Sequence, residues 1–277
     1  MSTAGAVGRA VGRAGGLGVG RGRLTGETAL VSGSTSGLGK VIATRFALEG
    51  AAVCVTGRDR DRGEAVVAAI TGAGGHAVFV AADLAWPDQC HRLVEGCDAA
   101  LGALTVLVNN AVDSGSGGDA AMADIDPETW DRILRVNLGG PAFLSQAAIP
   151  AMRRAGHGSI VNISSRAAER GTPHLAAYSA SKGGMNALTR SIAVDYGREG
   201  IRCNTIQPGY VLHERRDVDM DDSKRTRLEG MVLTRLGTAD DIASAAVYLA
   251  SAEAEHVTGI TLPIDGGSTS ARGLVLG

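Results

Sequence analysis

Apolar residues along the chain fall into short, β-branched runs that alternate with longer amphipathic stretches. Glu27 to Ser32, Ala51 to Thr56, His76 to Ala81, Leu104 to Asn109, Ser159 to Ile163, Ile201 to Ile206 and Gly259 to Ile264 read as strands. Nearly continuous apolar runs of this kind belong to a sheet covered on both faces, where polar/apolar alternation is lost. Helical patterns lie between them, among them Lys40 to Glu49 and two long ones, Pro127 to Arg153 and Pro173 to Arg198. The alternation predicts an α/β fold: seven parallel strands in a three-layer sandwich. Crossovers between parallel strands are right-handed, so a ligand crevice is expected at the strand carboxyl ends. Gly33, Gly57, Asp83, Asn109, Ser165 and Pro208 stand at or just after those ends.

Composition narrows the class. A chain of 277 residues, 44% hydrophobic and 20% charged, can bury one large core, and no linker divides it. The formal net charge of −2 gives no sign of nucleic-acid binding. Cys54, Cys90, Cys97 and Cys203 form no C-x-x-C pair and the histidines show no ligand spacing, so no metal is expected. Free buried thiols suit a reducing cytoplasm. No apolar run approaches the ~20 residues needed to span a bilayer. Residues 1–23 are rich in Gly and Ala, carry Arg9, Arg13, Arg21 and Arg23, and lack acids. Such a segment cannot offset its ordering entropy, so a mobile extension is expected ahead of a single domain over 24–277. Acid-free arginine also occurs in transit peptides; interrupting glycines and the lack of a secretory apolar core make targeting the lesser reading.

The chemistry concentrates in Tyr178-Ser-Ala-Ser-Lys182, with Ser165 thirteen positions upstream. Residues four apart share a helix face, so the phenol and the ammonium can reach one cleft. A phenol ordinarily holds its proton to pH ~10. A cation at about 4 Å, at an effective dielectric near ~20, favours the phenolate by roughly 4 kcal/mol, or up to about three pKa units. Tyr178 is then able to exchange protons near neutrality. A helix surface that merely carries Tyr and Lys is the alternative. Upstream, the strand ending at Ser32 runs into Gly33-Ser-Thr35-Ser36-Gly37-Leu38-Gly39 and then a helix. Strand, glycine turn and helix start make an anion site, because backbone N–H groups point outward and glycine permits close approach.

Taken together, the glycine turn, Asn109-Asn110-Ala111, Asn137, Ser165, Tyr178, Lys182 and Pro208-Gly209 resemble, in order and spacing, the short-chain dehydrogenase/reductase family. The resemblance covers about Leu24 to Ser268. It implies a single Rossmann-type, doubly wound domain that binds NAD(H) or NADP(H) and interconverts secondary alcohols and ketones. By the same resemblance Ser165 donates to the substrate oxygen, Tyr178 gives or takes the proton, and Lys182 lowers the Tyr178 pKa and holds the nicotinamide ribose. Asn137 is similar to the residue that holds a water linking Lys182 to solvent; by residue type alone it could equally bond helix backbone.

The glycine turn, with Thr35, Ser36 and Leu38, is implied to hold the cofactor phosphates. Gly57 occupies the usual acid position after the second strand, and Arg58 the next, where a guanidinium pairs with a 2′-phosphate. NADP(H) is therefore favoured over NAD(H), with Asp59 either a ribose ligand or a solvated helix start. Asp83-Leu84 resembles the adenine-holding pair, although Asp83 could instead cap the helix that Pro87 opens. Asn109 and Ala111, with Asn110 between them, are implied to support the cofactor and the central sheet, with Val112 where the family's next glycine usually stands. Pro208, Gly209 and Val211 resemble the turn beside the carboxamide, with His213 where Thr or Ser is common. Leu212 to Val232, including Arg215, Arg216, Asp217, Asp219, Asp221 and Asp222, is implied to be a mobile lid. Substrates that suit these residues are a polyol, sugar or hydroxylated ketone, or a 3-oxoacyl thioester. A non-catalytic dinucleotide sensor is a third reading, which intact Ser165, Tyr178 and Lys182 oppose. The family also implies a homotetramer, or a dimer, through the two long helices.

Overall fold

The computed structural model describes residues 22–114, 118–213 and 217–270. Residues 1–21, most of the expected extension, and the lid residues Arg215 and Arg216 lie outside the described residues. Gly22 and Arg23, grouped with that extension above, are anchored: the Arg23 guanidinium donates to Glu253 (Nε to Oε1, 2.9 Å) and its backbone N–H to Glu49 (3.1 Å). Leu24 behind them is fully buried.

Seven strands form one parallel sheet: β1 (Thr28–Val31), β2 (Ala52–Gly57), β3 (His76–Ala81), β4 (Val106–Asn109), β5 (Gly158–Ile163), β6 (Ile201–Pro208) and β7 (Thr261–Ile264). Their order is β3-β2-β1-β4-β5-β6-β7. The chain winds outward from β1, returns to lay β4 on its other side, and winds outward again. That reversal opens the crevice at the carboxyl ends of β1 and β4. The helices are α1 (Gly37–Leu48), α2 (Arg60–Gly72), α3 (Pro87–Leu101), α4 (Pro127–Leu134), α5 (Gly140–Ala155), α6 (Ala176–Tyr196), α7 (Asp222–Glu229) and α8 (Ala239–Ala250).

Alternation within each strand feeds two cores. Ala29 and Val31 join α1, α2 and α8 on one face, while Leu30 joins α3, α5 and α6 on the other. With both faces covered, all of β1 and β5 is buried, which explains why neither alternates polar with apolar residues. Helix starts follow local rules: Pro127 opens α4 behind Asp126, whose carboxylate accepts from the Glu128 and Thr129 N–H groups. The expected single helix from Pro127 to Arg153 is instead α4 and α5 joined by a π-helical turn, Arg135–Gly139, where the Gly140 N–H reaches back five residues to the Arg135 carbonyl. Among the described residues no helix is long and apolar enough to cross a membrane, and no three His, Cys, Asp or Glu side chains converge as for a metal.

A polar seam crosses the centre of the sheet on the α6 side. Asn109 Nδ2 donates to Asn162 Oδ1 (2.8 Å), Asn162 Nδ2 to Thr189 Oγ1 (2.8 Å), and Thr189 and Thr205 hydroxyls lie 2.7 Å apart. Asn109, Asn162 and Thr205 are paired across β4, β5 and β6 and have at most 1% exposure. Buried polar groups cost little only while partnered. Asn162→Ala strips a partner from each neighbouring strand or helix, and we expect it to destabilise the fold by about 2–4 kcal/mol in denaturant unfolding. A loss under about 0.5 kcal/mol, the usual range for an indifferent surface site, would mean the seam carries no stability.

Candidate active site

A cleft of about 1040 Å³ opens at the carboxyl ends of the strands. One end holds the glycine turn. Gly33 and Gly37 have φ of 63° and 53°, in the left-handed region. A Cβ at Gly39 would lie 2.3 Å from the Gly33 carbonyl oxygen, so only glycine closes this turn. Ser36 precedes α1 in extended conformation without a side-chain cap, and the first turn of α1 carries no acid, an arrangement that directs backbone N–H groups to a phosphate. Ser32 fixes the opposite wall: its hydroxyl accepts from the Asn110 and Ala111 N–H groups (2.9 and 3.0 Å). Ala111 is thereby pressed onto Gly33, where a Cβ would come within 2.8 Å of it. These backbone cradles fit a dinucleotide diphosphate.

At the adenosine end of this fit, a Cβ at Gly57 would meet the Thr35 methyl at 2.7 Å, so the usual acid position is closed as well as empty. Arg58 is exposed on the cleft wall. Asp59 is the N-cap of α2, accepting from the Arg62 backbone (3.0 Å) and guanidinium (2.5 Å). Those bonds hold its carboxyl below the ordinary range. Asp83 and Leu84 line the cleft, but Asp83 does not cap the next helix: Trp86 is the N-cap of α3, and Asp83 accepts instead from the Ala85 N–H. Arg135 lies 5.7 Å over the Trp86 ring on the same rim. Trp86, Arg62 and Arg135 escaped the sequence reading because no motif marks a rim residue.

At the other end Ser165, Tyr178 and Lys182 face the cleft with Pro208, Gly209 and Val211. Ser165 stands two residues past β5 in extended conformation and accepts from the Ala167 N–H (3.2 Å), while its hydroxyl bonds the Tyr178 phenol. Lys182, one helical turn on, is 2% exposed and donates to the Ile163 carbonyl (2.7 Å). Its Nζ stands 5.8 Å from the Tyr178 ring centre. Burial governs both groups. It raises the phenol pKa, which the Ser165 bond only partly offsets, and pushes Lys182 down from 10.5 to about 8. In the protein alone, burial of the phenol sets the direction of the Tyr178 shift, while the Lys182 ammonium is committed to a carbonyl.

Two expected site residues lie behind the cleft. Asn109 points into the polar seam, on the sheet face opposite its neighbour Val108, which joins the core with α1 and α8. Asn137 is fully buried on the π turn: its Oδ1 accepts from the Asp113 N–H (2.7 Å), and its Nδ2 donates to the Asp113 carbonyl (2.9 Å) and to Ser181 Oγ (3.3 Å). Both amide protons are spent, so its side chain has only a second lone pair of Oδ1 left for a water. Val112, 48% exposed, lines the cleft, and the His213 ring sits 3.3 Å from where a Gly37 Cβ would be. Within the expected lid, Asp217 accepts from the Tyr210 hydroxyl (2.6 Å), the His213 N–H (3.0 Å) and Lys224 (3.2 Å).

Residues 33–269 match a family model described as enoyl-(acyl carrier protein) reductase. The chain is 36% identical over 270 residues to a 3beta-hydroxysteroid dehydrogenase of Mediterraneibacter gnavus, covering 90% of this chain and 97% of the relative. It is 36% identical over 250 residues to glucose 1-dehydrogenase 2 of Bacillus subtilis, covering 89% and 96%. Among solved structures, a gluconate 5-dehydrogenase of Burkholderia cenocepacia in complex with NADP and tartrate superposes with a TM-score of 0.84 at 34% identity, over 90% of this chain and 98% of that one.

The Lys182 shift has a measurable sign. Below pH 8 both folded and unfolded chains carry the proton and this lysine adds no slope. Between about 8 and 10.5 the unfolded chain binds more protons, so stability climbs with pH, by roughly 3 kcal/mol in all. The difference in unfolding free energy between the parent and Lys182→Met, measured in urea without cofactor, should widen in the parent's favour across that window. Parallel curves would refute the buried charge.

Proposed function

The chain belongs to the short-chain dehydrogenase/reductase family, and on that premise we propose an NADP(H)-preferring enzyme that interconverts a polyhydroxylated secondary alcohol and its ketone. It is an NAD(P)-dependent oxidoreductase acting on CH–OH groups. Gly57 carries the cofactor preference: with the acid position closed by Thr35 and Asp59 occupied by Arg62, neither position after β2 offers a free carboxylate against a 2′-phosphate, and Arg58 stands beside it. The NADP-bound gluconate 5-dehydrogenase supports this choice.

Bound nicotinamide supplies or accepts the hydride. Ser165 donates to the substrate oxygen, stabilising the charge that grows there. Tyr178 gives the proton on reduction and takes it on oxidation. Lys182, mostly protonated at neutral pH, holds the ribose and places its charge beside the phenol. Asn137 steadies the Asp113 turn and Ser181 beneath Lys182, and its last lone pair is where a relay water would bind. The glucose and gluconate dehydrogenases among the relatives support a polyol or sugar-type substrate. A cytoplasmic homotetramer completes the proposal; Val194 on α6, 81% exposed, supplies apolar surface for it.

The test is turnover of NADPH and NADH, followed at the reduced-nicotinamide band, across a panel of sugar and polyol ketones. Tyr178→Phe should lower kcat by about 10²–10⁴-fold. Arg58→Ala should lower kcat/KM for NADPH by about 10–100-fold with little change for NADH, as loss of a charge-assisted bond requires. Equal losses with both cofactors would remove the 2′-phosphate assignment. Tight NADPH binding without turnover across the panel would point to a sensor.

A further inference from the structure

We propose that Asp119 is a positioning residue for proton transfer, acting from a separate loop by capping the helix that carries Tyr178; this rests on the assignment of Tyr178 as the proton carrier. Helix α6 begins without a cap of its own, since Leu175 at its N-cap offers no side-chain acceptor. A helix start leaves its first N–H groups without intrahelical partners, and a buried one must find them elsewhere. Here they are met from 58 and 59 residues away. Asp119 Oδ2 accepts from the Tyr178 N–H (2.9 Å) and Oδ1 from the Ala177 N–H (3.2 Å), and the Ala120 carbonyl takes the Ala176 N–H (3.4 Å). Regular helical bonding resumes with Ser179, which donates to the Leu175 carbonyl (3.0 Å).

The Tyr178 backbone is thus gripped on both sides. Its N–H is held by Asp119, and its carbonyl accepts from Ser181 Oγ (2.6 Å), which in turn receives the Asn137 amide. Asn137 also clamps Asp113 through both backbone groups. Asp113 and Asp119 both follow β4 in the chain: Asp113 is tied to the π turn, and Asp119 to the first turn of α6. Asp113 and Val112 line the cleft. Asp119 meets the positive end of the α6 dipole, where a carboxylate is most favourable. Asp119 therefore sets the position of the Tyr178 backbone and with it the phenol, and a shift of about 1 Å there is enough to cost 10²-fold in rate.

Asp119→Asn keeps the Oδ1 acceptor but turns an amide against the Tyr178 N–H, whereas Asp119→Ala removes both. We expect kcat to fall about tenfold in the first and about 100-fold in the second, while the NADPH dissociation constant, from fluorescence titration, stays within about twofold, well inside one factor of ten. In a Tyr178→Phe background Asp119→Asn should leave the residual rate unchanged, because its effect runs through the phenol. Undiminished kcat in Asp119→Asn, a cofactor affinity that falls as far as kcat, or an equal loss in the Tyr178→Phe background would each overturn the proposal. Asp119→Asn decides the matter even if Asp119→Ala does not fold. Full activity in Tyr178→Phe alone would overturn the proton-carrier assignment first, an outcome distinct from any Asp119 result.

Discussion

A protonated amine sealed from solvent is the constraint around which the active-site half of the molecule is arranged. Lys182 has no carboxylate partner among the described residues; its ammonium rests on the Ile163 carbonyl at the end of β5. A paired acid would have stabilised the buried charge and cancelled its field. Left with a neutral acceptor, the charge stays directed at the space shared by Tyr178 and the cleft, and its cost falls on the surrounding fold. That fold answers with dense hydrogen bonding: Ser164 reaches the Lys182 carbonyl, Ser181 reaches that of Tyr178, and Asn137 ties Ser181 to the loop after β4. Rigidity here is what makes a weak acid usable, because the phenol has to meet its substrate in one place.

The cofactor half follows a different physical rule. Its walls are backbone, brought close by the absence of side chains at Gly33, Gly39 and Gly57 and locked by Ser32. Recognition there depends on N–H groups and a helix start, with side-chain charge entering only at Arg58 and the neutralised Asp59. The two halves meet at the ends of β4 and β5, and the polar seam of Asn109, Asn162, Thr189 and Thr205 pins those strands together just behind the chemistry.

Strands were legible in the sequence to within about two residues because burial on both faces writes them as apolar runs, which needs no knowledge of partners. The glycine turn and the Ser165, Tyr178, Lys182 set were equally legible, since turn and helix spacing are local. What the sequence hid depends on distance and desolvation. Charge signs alone suggested an acidified Tyr178, whereas burial pushes the phenol the other way. Asn109 read as support for both cofactor and central sheet, because its position at a strand end is visible and the direction of its side chain, here into the sheet's polar seam, is not. Asp119 gave no signal at all: it stands amid Gly and Ala, and its partners are 58 and 59 residues away. The π turn is likewise silent, because one extra residue in a helix leaves composition and polarity unchanged.

That extra residue bears on how this stretch of chain can vary. One position inserted into a helix rotates everything after it by about 100°. Helix α4 packs on α6 and α5 packs on α3, two partners lying in different directions from a single rod. With the insertion, Leu144, Ala148 and Met152 all face the core beneath the sheet. Deleting any residue between Arg135 and Gly139 would restore regular winding and swing those three out of phase with their neighbours. The segment thus behaves like a fixed gear between two shafts: it can change its teeth by substitution, but its count is set by the angle between the layers it joins.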